Sequence, residues 1–182
     1  RGGTQILLLD AMVLLLPHWI TGIRRILTRP KLTIKIKMIE SLLIGIRDHL
    51  GNHQVRILML LTSGETPLPE DVKFRIDIDG RQPDFLGLYG QVVLNEVQGT
   101  SYPYFYVVLV ARRRFGLEKA FSEYVPPPKI TKEFKVQDEV EVFVVRQHTT
   151  KKSGYHTKLP AALRILGEGL SMAEKTAKGE VP

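Results

Sequence analysis

"QVVLNEVQGTSYPYFYVVLVA", residues 91–111, decides the fold. Two runs rich in valine, leucine and aromatic residues flank "QGTSYP", whose glycine, serine and proline favour a reversal of the chain. The pattern predicts a long antiparallel hairpin. Its second arm, from Tyr104 to Ala111, is too short to cross a bilayer as a helix and consists of strand formers, so a core strand is expected there.

Working outward, "VKFRIDID" (72–79) alternates, with Val72, Phe74, Ile76 and Ile78 on one face and charges on the other. "QVRILMLLT" (54–62) is uniformly apolar and reads as a central strand. "LTIKIKM" (32–38) also alternates and reads as a half-buried strand. A helix is expected after it, on Ile39, Leu42, Leu43, Ile46 and Leu50, stopped at Gly51. Strand, helix and strand in that order suggest a crossover that leaves the outer two strands parallel.

Downstream, "LEKAFSEY" (117–124) is a short helix stopped by three prolines, and "EVEVFVVRQ" (139–147) is a strand. Leu159, Leu163, Leu166, Leu170, Ala173 and Ala177 recur at spacings of three and four, which predicts a helix over 159–177. Gly167 and Gly169 weaken that helix, so packing must hold it. The expectation is an α+β fold: a mostly antiparallel sheet of about six strands with helices on one face, preceded by an apolar N-terminal helix.

That preceding segment is the chain's strongest hydropathy signal. From Ile6 to Leu16 a helix would be apolar on every side, interrupted by Asp10 alone, so protein or lipid must enclose it. "ILLLDAMVLLLPHWITGI" (6–23) sits at the lower edge of a bilayer span. Trp19 then Arg24, Arg25, Arg29 and Lys31 follow in the order of a cytoplasmic membrane exit. Residues 1–29 are therefore expected to form a membrane anchor with a basic flank, and 30–182 a single α+β domain on the cytoplasmic side. A core helix ending at Pro17 is the rival, which Asp10 favours because a carboxylate in a bilayer is costly.

The 182 residues allow a full core, and a hydrophobic fraction of 43% with 25% charged residues suits a folded protein. The absence of cysteine removes disulfides, thiolate nucleophiles and cysteine–zinc sites. A net charge of +7 favours anionic partners: acidic lipid, a phosphorylated ligand or nucleic acid.

Three stretches bear on chemistry. In "HTTKKSGYHTK" (148–158), His148, Lys151, Lys152, Ser153, His156 and Lys158 surround a glycine and can hold a phosphate or carboxylate. Thr157 is placed to cap the last helix. The same composition also suits an exposed connection. "ARRRFG" (111–116) offers Arg112, Arg113 and Arg114, which with Arg24 and Arg25 can meet lipid headgroups or nucleic acid. "FRIDIDGRQPDF" (74–85) resembles the nucleophile motif of haloacid-dehalogenase-type phosphatases over five or six residues. Its order then departs from that family, because the strand ending in Thr62 precedes the motif instead of following it. A calcium loop through Asp77, Asp79 and Asp84 has incomplete spacing, so both aspartates of the strand read as solvated.

No serine–histidine–acid order, metal set or nucleotide loop can be assembled, and no catalytic residue or cofactor is assigned. The expected role is a membrane-tethered, non-enzymatic binding module, with lipid as one partner and a protein as another. The alternative is an enzyme or sensor taking an anionic small molecule through 148–158. A soluble nucleic-acid binder is a third reading.

Overall fold

The computed structural model describes residues 30–150 and 156–179. Six strands form one antiparallel sheet: β1 (Gln54–Leu61), β2 (Pro69–Asp77), β3 (Phe85–Val97), β4 (Thr100–Arg112), β5 (Ile130–Gln137) and β6 (Val140–Gln147). Their order is β1-β2-β3-β4-β6-β5. Three α-helices accompany them: α1 (Pro30–Ile46), α2 (Leu117–Glu123) and α3 (Leu159–Ala177). The α+β class and the six antiparallel strands agree with the sequence. The apolar segment 6–23 lies outside the described residues.

The β3–β4 hairpin is the long one expected, with Val97 opposite Thr100 and the turn reduced to Gln98 and Gly99. Both turn residues have positive φ, 50° and 78°, as a two-residue hairpin turn demands. One face of the sheet meets the helices. Phe74, Ile76, Leu88, Phe105, Val107, Leu109, Phe143 and Val145 point that way and join Leu42 of α1, Leu117 of α2 and Leu166 of α3 in one core. Among the described residues the other face carries no helix.

Three expectations are corrected. Residues 32–38 are not a strand but the first turns of α1, which continues to Ile46. Pro30 suits the first helical position, and Leu32, Ile39, Leu42 and Ile46 fall on one helical face against the sheet. The alternation of Lys35 and Lys37 with apolar residues was compatible with either period. There is consequently no parallel crossover, because β1 pairs antiparallel with β2 from Gln54↔Asp77 onward. Nor is β1 central: among the described residues it has β2 as its single neighbour and forms an edge of the sheet.

The strand β5 was not anticipated. Its alternation of Ile130, Phe134 and Val136 is diluted by lysines and follows three prolines. The count of six nonetheless held, since β5 replaces the strand assigned to 32–38.

Helix α3 spans Leu159–Ala177 as expected, but its buried side is rotated toward Ala162, Ile165, Gly169 and Ala173, leaving Leu159 exposed. The two glycines differ. A Cβ at Gly169 would stand 2.5 Å from Val107 Cγ2, so this glycine lets the helix lie close on the sheet. A Cβ at Gly167 would meet nothing within 4 Å. Gly167→Ala is accordingly expected to stabilise the protein by about 1 kcal/mol, the helix-propensity gain, while Gly169→Ala destabilises it. Urea unfolding of the two variants checks the opposite signs.

Candidate functional site

The stretch 148–158 divides at its described flanks. The His148 N–H donates to Lys129 O at 2.8 Å, tying the strand end to the start of β5. On the far flank the Thr157 N–H donates to Pro103 O at 2.8 Å, and its hydroxyl accepts from the Phe105 N–H at 3.2 Å. Thr157 therefore extends the pairing of β4 and does not cap α3, whose N-cap is Lys158 without a side-chain bond. The His156 ring rests against Tyr102 with centroids 5.3 Å apart. Lys158 is exposed. Lys151, Lys152 and Ser153 lie outside the described residues, as do Arg24 and Arg25.

Arg112, Arg113 and Arg114 close a turn whose backbone is organised from beneath. Glu141, on β6, is buried on the helix-covered face, opposite Ala111. Its carboxylate accepts from the N–H groups of Arg114 (2.7 Å), Gly116 (3.0 Å) and Leu117 (2.8 Å). Leu117 opens α2, so the carboxylate also faces the positive end of that short helix. The three arginine side chains remain exposed, with Arg112 Nε 3.4 Å from Asp84.

The aspartates of 74–85 separate. Asp77 pairs with Arg56 (2.9 Å) and Arg75 (3.0 Å), while Asp84 turns to Arg112. The three carboxylates do not converge. Among the described residues no group of three or more histidines, aspartates or glutamates could hold a metal ion.

The direction of each element sorts these features to two ends of the sheet. Helix α1 starts where Lys31 pairs with Glu96 and Lys35 Nζ stands 2.6 Å from Asp71. The β1–β2 loop, the β3–β4 turn and both described flanks of 148–158 lie at this same end. Arg112–Arg114 lie at the opposite end of β4, whose thirteen residues span roughly 40 Å. A single flat surface can meet one basic set or the other.

The feature that sequence reasoning missed is β1 itself. Among the described residues the helices lie over β2, β3, β4 and β6, with α2 reaching β5, and β1 meets the core through Val55 while most of its apolar side chains stay exposed. Ile57, Met59, Leu60 and Leu61 are exposed by 51%, 46%, 59% and 50%. Arg56 is the one charge on the strand. Uniform apolarity was the available signal, but it is shared by strands buried on both faces and by strands that await a cover. Among the described residues no helix is long and apolar enough to cross a membrane.

No family model matches this chain, and no curated protein or solved structure matches it either.

Proposed function

We propose that this chain is a membrane-tethered binding module, held to a bilayer through residues 6–23 and engaging a partner's extended segment along β1. The observation that carries the reading is the exposed apolar edge that β1 presents among the described residues. Native sheets blunt an exposed edge with charge, proline or a cover, because unpaired N–H and C=O groups template further pairing. β1 has one charge in eight residues and four half-exposed apolar side chains, so an added strand would satisfy its backbone and bury its surface together.

The end at which α1 starts supports the tether. Leu61, Leu68 and Val97 are exposed there beside Lys31, a mixture suited to a headgroup layer. With the anchor at that end, β1 runs away from the bilayer and its middle stays accessible to a protein.

Two measurements test this. The full chain is expected in the detergent phase on phase partition, and recovery in the aqueous phase would end the tether. A photoreactive residue in place of Ile57 is expected to capture one protein species in native membranes, and Ile57→Lys to abolish binding of that species without unfolding the domain. Crosslinking to lipid alone, or to nothing, would remove the partner-strand reading.

A further inference from the structure

We infer that the cleft beside Asp77 binds a small soluble oxyanion, a phosphate monoester or carboxylate, between Arg56 and Arg81. The inference needs no partner strand on β1, and it rests on the proposed tether only for the ligand being a solute. The register places Arg56 directly opposite Arg75, on the sheet face away from α1, α2 and α3. Like charges so placed repel, and Asp77 between them, with the Tyr89 ring beneath Arg75, offsets that repulsion.

The offset is only partial. Arg56 Nε stands 2.9 Å from Asp77 Oδ2, Arg75 Nε 3.0 Å from Oδ1, and Arg81 Nε 4.0 Å from Oδ1. Three guanidiniums thus share the Asp77 carboxylate, and with Asp79 also lining the cleft one positive charge is left in excess. Arg75 Nη2 donates to Asp77 Oδ2 at 3.1 Å, while Arg75 Nε and Asp77 Oδ1, buried close together, make no aligned hydrogen bond.

A polar cleft of ≈ 390 Å³ opens beside this cluster, lined among others by Asn52, Gln54, Arg56, Asp79, Gly80 and Arg81. Its rim is fixed. His53 Nδ1 accepts from the Asp79 N–H at 3.0 Å while Nε2 faces Glu174 Oε1 at 2.9 Å, which selects the tautomer protonated at Nε2. The Gln82 N–H donates to Ala177 O at 2.8 Å, locking the loop to the end of α3. Arg81 Nη1 donates to Phe85 O, so its guanidinium is oriented with donors to spare.

The chemistry of the lining selects the ligand. Guanidinium forks match the paired oxygens of phosphate and carboxylate, and the amides of Asn52 and Gln54 add neutral donors. Asp79, exposed on the rim, opposes a long polyanion and favours a compact anion seated on the arginine side. The cleft lies at the end of the sheet opposite the start of α1, which places it among solutes.

Titration of the full chain in neutral detergent with inorganic phosphate, against chloride at equal ionic strength, tests the site. Saturable thermal stabilisation by phosphate is expected, weakened about tenfold by Arg56→Gln and by Arg81→Gln. Asp79→Asn should strengthen it, which no purely structural ion-pair network would do. If Arg81→Gln fails to fold, the more exposed Arg56 carries the test alone. Equal responses in wild type and Arg56→Gln, or a phosphate effect no larger than that of chloride, would overturn the inference. In nanodiscs, acidic lipid should leave phosphate binding unchanged; competition by the lipid would overturn the soluble source.

Discussion

Replacing Glu141 with alanine is expected to cost the protein about 3–5 kcal/mol, the range for breaking a buried charged network by removing one partner. The carboxylate holds three N–H groups within 3.0 Å, those of Arg114, Gly116 and Leu117. Alanine would leave those donors facing a buried gap. Arg114 (φ 69°) and Gly116 (φ 105°) both occupy the left-handed region, so the turn depends on these bonds more than an ordinary one. Urea unfolding with a circular-dichroism readout measures the loss. Glu141→Gln should also destabilise, because the amide replaces one acceptor oxygen with a donor that confronts donors. A cost under about 1 kcal/mol for the alanine variant would mean that water replaces the carboxylate and that the turn is self-supporting.

The second large effect belongs to Gly90. It sits opposite Phe74 on the core face, and a Cβ there would fall far inside van der Waals contact with the Phe74 ring. Phe74 is fully buried and stacks on Phe105 with centroids 6.3 Å apart, so it has nowhere to retreat. Gly90→Ala is expected to destabilise by about 3 kcal/mol through overpacking. The mechanism predicts its own rescue. Phe74→Leu makes room, so the double variant should be more stable than the sum of the two single losses implies, by about 1 kcal/mol or more. Strict additivity would show that the glycine is needed for its backbone and not for the ring.

Strong local patterns were legible in the sequence. The hairpin of 91–111 and the helix of 159–177 carry a sustained period that nothing nearby contradicts. Strand β6 shows where pattern ends. "VEVFVV" alternates valine with glutamate, which by itself would bury the valines; instead Glu141, Phe143 and Val145 are buried, and Val142 and Val144 face outward. Pairing of Phe143 with Leu109 and of Val145 with Val107 fixes the face, and that information lies in β4, not in β6.

The candidate sites follow the same logic. Arg56 and Arg81 are twenty-five positions apart in sequence and are united by the β1–β2 register, so no local motif announces them. The histidine-rich stretch was conspicuous by composition. Its described flank, Thr157, turned out to serve strand pairing because the neighbouring edge of β4 lacked a partner there. Apolarity suggested a central strand at 54–62, but it could not tell a strand flanked by sheet neighbours from an edge strand with exposed apolar side chains.

Helix α3, the last described element, has a consequence for synthesis. It supplies Ala162, Ile165, Leu166, Leu170, Ala173 and Ala177 to the core, over strands made long before it. A nascent chain still lacking this helix can zip every hairpin of the sheet, yet Leu88 and Val107 remain uncovered on one side. The domain's core is thus closed only once this helix has been made, and a chain released before it would emerge as a sheet in search of grease.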